Sequence, residues 1–152
     1  MVITNQDDMY IYFEIINQVE PNNVLDIGMF LKRIGAVSRH VMDLGIDADI
    51  RLDGVDYMSD MSVNVYKKIY DDILSCDTLM DNEDAYYDLV YLLRPQAIMT
   101  SKQEELWWTW LAGHAKYVVT DCNTQHRLDY VSSKGDFRDV EIDSSVYGII
   151  SF

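Results

Sequence analysis

The 152-residue chain is short of basic side chains, cysteine and proline. Lysine and arginine number 12 against 26 aspartates and glutamates, a formal net charge of −14 at pH 7. That balance, with a pI near 4.3, argues against a protein that grips nucleic-acid phosphates over a broad face. It suits a basic protein partner, a small molecule, or plain solvation. The two cysteines, Cys76 and Cys122, form no CxxC. With His40, His114 and His126 scattered along the chain they make no zinc spacing, no metal is expected, and no Ser-His-Asp or Cys-His pairing can be drawn. Reduced thiols in a cytoplasmic setting are the expectation. No window reaches the ~18–20 apolar residues of a membrane span. Residues 1–20 carry Asp7, Asp8, Glu14 and Glu20 in place of the basic start and apolar run of a secretory leader. There is no repeat, no low-complexity tract, no Gly/Ser linker and no Walker-type phosphate loop, and Pro21 and Pro95 are the sole prolines. One domain over residues 1–152 is expected.

The apolar pattern that remains is rich. Residues 7–19 read as a helix: Asp7 or Asp8 can cap it, Met9, Tyr12, Phe13, Ile16 and Val19 keep three- and four-residue spacing, and Pro21 with Asn22 and Asn23 ends it. Residues 24–28, VLDIG, read as a short buried strand closed by a glycine. Leu31, Ile34, Val37, Val41 and Leu44 then keep helical period up to Gly45, and residues 50–55 form a second strand ending at Asp56. A strand, a helix and a strand make a βαβ unit, parallel and right-handed in nearly all cases. Residues 57–86 are ambiguous. Met58, Met61, Val65, Ile69 and Ile73 share a helix face, whereas residues 65–70 alternate like a strand, which the need for a third strand favours. Residues 88–93 are a strand closed by Arg94 and Pro95, and 102–114 a helix capped by Ser101 or Thr100. Residues 117–120 are a strand, 127–131 and 137–142 are extended, a turn falls around 133–136, and 146–152 are a final strand. Strands alternating with helices predict an α/β protein, a three-layer Rossmann-like sandwich on a mainly parallel sheet.

VLDIG (24–28), a helix, then LDGVD (52–56) resembles the opening of the class I S-adenosylmethionine-dependent methyltransferases. YYDLVYLL (86–93) and KYVVTD (116–121) fall where that family has strands four and five. VYGIISF (146–152) resembles its last strand, which runs antiparallel. The run DLVYLLRP (88–95) is also similar to the DLIYSIRP-type strand four of a small archaeal family with a shortened methyltransferase-like fold. GMFLKRIGAVSR (28–39) loosely resembles small proteins of bacterial mobile elements. The resemblance implies S-adenosylmethionine as cofactor. It makes Asp26 the acid that meets the methionine ammonium, Gly28 part of the turn, and Asp56 the acid that holds the ribose hydroxyls. If 65–70 is strand three, Asp71 or Asp72 lies near the adenine.

The physical chemistry of these residues is sound. A glycine at a strand-to-helix turn lets backbone approach a ligand closely. The crevice of an open parallel sheet opens at the carboxyl ends of its strands, at the switch point. A carboxylate there accepts two bonds from vicinal hydroxyls, and Asp56 follows Asp26 at a βαβ distance. The turn departs from acid-x-Gly-x-Gly-x-Gly, with Phe30 and Lys32 standing where glycines belong. Gly35 either opens the helix after a longer loop or sits inside it. Met29 and Phe30 occupy room that a methionine tail needs, and Lys32 and Arg33 favour a phosphate or carboxylate. Strand four ends Leu93-Arg94-Pro95-Gln96, not in an Asp/Asn-Pro-Pro-aromatic motif, which speaks against methylation of a base or amide nitrogen. Tyr91 and Arg94 are the substrate candidates at the crevice edge, Arg94 as a bidentate anion binder. Methyl transfer asks mainly for in-line positioning.

Two further features stand out. Residues 71–88 hold seven acids and no base, a docking face for a basic protein or a solvated loop. Trp107, Leu111 and His114 share one face of the second long helix, and Leu106, Trp110 and Gly113 the adjacent one. One helix on a sheet is not expected to bury three tryptophans, so a homodimer through Trp107, Trp108 and Trp110 is expected. The function read from the sequence is an S-adenosylmethionine-dependent methyltransferase or a degenerate cofactor-binding relative. The alternative is a non-enzymatic acidic interaction module on the same fold. A nucleotide-phosphate binder using Lys32, Arg33 and Arg94 comes third.

Overall fold

The computed structural model describes residues 6–28, 50–55 and 70–152. In chain order its elements are α1 (Gln6–Val19), β1 (Asn23–Ile27), β2 (Arg51–Val55), β3 (Asp72–Leu74), α2 (Cys76–Met80), β4 (Tyr87–Leu92), a 3-10 turn (Pro95–Ala97), α3 (Ser101–His114), β5 (Ala115–Asp121), α4 (Gln125–Ser132), β6 (Asp136–Ile142) and β7 (Ser145–Ser151). The strands form one sheet in the order β3-β2-β1-β4-β5-β7-β6. The pairs β1–β2, β2–β3, β1–β4 and β4–β5 are parallel, and β7 runs antiparallel to both β5 and β6. This is the α/β Rossmann-like architecture that the sequence predicts, antiparallel last strand included.

Alternation along the strands sends residues to the two faces in turn. Val24, Leu89, Tyr91, Val119 and Ile149 cluster with Ile11, Ile15 and Ile16 of α1. Leu25, Ile27, Val90, Leu92, Val118 and Ile150 cluster on the other face with Trp107, Trp108 and Leu111 of α3 and Val131 of α4. β4 is central, parallel and covered on both faces, which is why it reads as an unbroken apolar run. α3 starts at a capping box: Gln103 N–H donates to Thr100 Oγ1 (3.2 Å) and Thr100 N–H to Gln103 Oε1 (2.8 Å).

Several expectations need correction. Residues 127–131 are helical, not extended. Thr124 caps α4 by accepting from Arg127 N–H at 3.1 Å, and Val131 faces the sheet. The third strand is Asp72–Leu74, later than 65–70. Tyr70 lies outside any strand, and 65–69 fall outside the described residues. So do the helix expected over 31–44 and the side chains of Met29, Phe30, Lys32, Arg33, Gly35 and Asp56. α3 buries two of its three indoles unaided: Trp107 and Trp108 are 0% and 2% exposed, and Trp110 is half-buried against His114. The sheet and α4 together supply the depth that one helix on a bare sheet was expected to lack. Among the described residues no helix is long and apolar enough to cross a membrane.

Candidate functional site

β1 has β2 on one side and β4 on the other, so the chain's winding reverses there, and the carboxyl ends of the strands at such a switch point are where open parallel sheets place their ligands. At that point Gly28 takes φ 90°, a conformation reserved for glycine, and its N–H donates to Val55 O at 2.8 Å. The bond ties the turn after β1 to the end of β2.

Asp26 lies two residues earlier, in register with Gly54 of β2 and Tyr91 of β4. It is fully buried, and Tyr70 Oη donates to its Oδ2 at 2.5 Å. Asp26 therefore faces the α1 side of the sheet, beneath the turn. Tyr91 is fully buried on the same side, inside the core and not at the rim of the crevice. Burial first, and the Asp26 charge second, hold its hydroxyl protonated far into the alkaline range.

Arg94 does stand at the carboxyl end of β4. Its backbone is left-handed (φ 51°, ψ 52°), which costs about 1–2 kcal/mol. Its N–H donates to Asp121 Oδ1 at 2.6 Å, so the ends of β4 and β5 are joined there. Asp72 is placed elsewhere. It opens β3 in register with Asp53, at the amino end of the strand, and its exposed carboxylate lies 3.8 Å from Arg51 Nη2. The structure thus brings Asp26, Gly28 and Arg94 to the carboxyl ends of β1 and β4. Asp72 opens β3 two strands away, level with Asp53 and Leu25 and one residue before the level of Asp26, and Asp56 lies outside the described residues.

A second constellation at the carboxyl ends was missed in the sequence. Glu104 and Arg127, 6% and 5% exposed, form a buried ion pair with Nη1 at 2.5 Å from Oε2. Trp108 Nε1 donates to the same oxygen at 2.9 Å. Arg127 Nη2 donates to Thr120 Oγ1 (3.0 Å) and Nε to Asp121 O (3.3 Å), so one guanidinium ties α4 to α3 and to the end of β5. Beside the pair lies a cavity of about 260 Å³ walled by Gln96, Ser101, His126 and Tyr130 together with Glu104 and Arg127. On its outer side Lys134 Nζ is 3.0 Å from both oxygens of Glu105, and the Tyr130 hydroxyl donates to Glu105 as well. The Tyr130 bond and then Lys134 hold the Glu105 carboxyl below its usual range, while burial and then Glu105 raise the Tyr130 hydroxyl. One signal was available. Glu104 stands four and seven residues before Trp108 and Leu111, an acid on an apolar stripe.

Cys122 is buried just beyond β5, and burial pushes its thiol up to about 11, so it is a packing group and not a nucleophile. Among the described residues no group of three or more His, Cys, Asp or Glu is placed to hold a metal ion.

The comparisons agree with the fold. The methyltransferase domain of bacterial CtHen1 superposes with a TM-score of 0.69 at 13% identity, covering 97% of this chain and 98% of that one. The O-methyltransferase TomG from Streptomyces achromogenes, solved in complex with SAM, gives 0.63 at 11% identity over 97% of this chain and 81% of that one. Thermoplasma acidophilum 1320 gives 0.62 at 13% over 93% and 86%. The fold is methyltransferase-like. No family model matches the sequence, and no curated protein matches it either.

Proposed function

We propose that the chain is an S-adenosylmethionine-dependent methyltransferase-like protein, a degenerate relative that keeps the cofactor crevice. The observation that carries this reading is Gly28, whose φ of 90° at the end of the central strand puts bare backbone at the switch point of the sheet. Its support outside the chain is the fold shared with methyltransferases, one of them holding SAM. The turn fits a bound nucleoside cofactor by its close backbone. Gly28 would face the ligand by its main chain and Asp56 would take the ribose hydroxyls. Asp26, buried and bonded to Tyr70, serves to prop the turn from below and does not itself touch the ligand. The cofactor would supply an electrophilic methyl group, and the protein's part is alignment. Kinship with the archaeal DLIYSIRP-type family belongs to the same reading.

Calorimetry with S-adenosylmethionine and S-adenosylhomocysteine tests it. Micromolar heats that vanish in Asp56→Ala and in Gly28→Val are the expected result. No heat at millimolar ligand overturns the reading. The second reading, an acidic module that docks a basic protein, draws on six exposed acids around β3 and α2: Asp71, Asp72, Asp77, Asp81, Glu83 and Asp84. It predicts silent calorimetry and binding to a basic protein that fades as salt rises.

A further inference from the structure

Glu104 is more than nine-tenths buried, yet one of its two oxygens carries all of its bonds. Trp108 Nε1 and Arg127 Nη1 both donate to Oε2, and among the described residues no donor reaches Oε1. A carboxylate has about four acceptor positions, and Oε1 is the side of Glu104 left open to the cavity. Arg127 is in the complementary position. Three of its N–H groups serve Asp121, Glu104 and Thr120, and a guanidinium has five. Acceptor and donor lie side by side on the floor of one cavity of about 260 Å³, roughly the volume of eight or nine waters at ~30 Å³ each.

We infer that this cavity, between α3 and α4, binds a small neutral ligand that carries an N–H donor next to a C=O acceptor, as a lactam ring or a primary carboxamide does. The N–H goes to Glu104 Oε1 and the carbonyl takes a free N–H of Arg127. The neutrality follows from the floor. Glu104 and Arg127 already cancel each other, and a ligand with net charge would shed its water without gaining a counter-ion. The donor follows from Oε1, the Glu104 oxygen that no donor among the described residues reaches, because a site that offers an acceptor favours a ligand carrying the N–H over analogues that lack it. Gln96, Ser101, His126 and Tyr130 complete the wall, and Glu105, which also lines it, is already paired with Lys134. The inference does not rest on the cofactor reading.

The test is a titration of the ¹⁵N-labelled full chain with 2-pyridone and with acetamide, read at the indole N–H resonance of Trp108, which reports on Glu104. A saturable shift with either probe is expected, and the tighter of the two assigns the ring lactam or the open carboxamide. N-methyl-2-pyridone, which lacks the donor, should bind at least tenfold more weakly. Ser101→Phe, at an exposed position on the rim, should abolish the shift while leaving the rest of the spectrum folded. No saturable shift with either probe overturns the proposal. So does equal binding of N-methyl-2-pyridone, or a shift that survives Ser101→Phe. S-adenosylhomocysteine titrated in parallel separates the two readings: its failure to bind removes the cofactor and leaves the cavity result standing.

Discussion

Two buried carboxylates in this molecule are held by the same kit, an arginine and an aromatic donor, and end up in different states. Asp53 is the middle residue of β2 and meets Tyr87 from the start of β4. Arg51 Nε bonds both of its oxygens (3.0 and 3.2 Å) and Tyr87 Oη donates to Oδ2 at 2.8 Å. Glu104 lies at the carboxyl ends, with both donors crowded onto one oxygen. The first network is closed, and burial first, then Asp53, keeps Tyr87 protonated well above its ordinary value. The second is half-open onto a cavity. In an open parallel sheet ligands gather at the carboxyl ends of the strands. The difference between the two acids lies in their hydrogen bonds: the Asp53 network is finished internally and that of Glu104 is not.

The largest effect should separate the pair. Glu104→Ala leaves Arg127 buried and unpaired, a loss of about 3–5 kcal/mol in urea unfolding. Asp53→Ala should cost less, about 1–3 kcal/mol, because the Arg51 side chain is 56% exposed and can turn to water. Equal losses would break the comparison. Thr100→Ala, which removes the cap at the head of the helix that carries Glu104, should cost about 1 kcal/mol. It should also weaken the Trp108 indole response to added probe. If the helix tolerates the change without either loss, Glu104 is positioned by Arg127 alone.

The smallest effect appears only at high pH. The folded Cys122 thiol, raised to about 11, keeps its proton where an unfolded thiol loses it near ~8.5. Its contribution is whole below about pH 8.5 and drains away as pH climbs through about 11. Cys122→Ala should flatten that part of the stability profile. At pH 8 a thiol reagent should modify half-exposed Cys76 and spare buried Cys122 in the folded protein.

Much of the sheet was legible because its strands are apolar runs bounded by glycine, proline or charge. VLDIG and DLVYLL needed no partner to be read. α4 was not legible for a local reason. It has eight residues, Leu128 and Tyr130 alternate as in a strand, and its most deeply placed side chain besides Val131 is an arginine, which sequence patterns score as surface. Asp72 was read as an acid just after a strand at 65–70, whereas it opens β3 itself; its pairing with Asp53 is information that only the sheet carries. Tyr91 lies in a run apolar at every neighbouring position, and such a run gives no hint of which residue reaches the rim. Glu104 could be suspected on its stripe, but its partner lies 23 residues away on another helix, beyond the reach of any periodicity.

One contact ties together distant parts of the chain. Arg138 Nη2 on β6 donates to Gln18 Oε1 on α1 at 3.1 Å, across 120 residues of sequence. The apolar side of α1, with Ile11, Ile15 and Ile16, packs into the cluster that includes Tyr147 and Ile149. A ribosome adding ~5–20 residues per second takes about 6–24 s to make the stretch between those two polar partners. For that interval β7, which supplies Tyr147 and Ile149 to the cluster, does not yet exist. The apolar side of α1 can settle on the earlier strands but completes its packing only once β7 is made, so α1 precedes part of its own binding face in time.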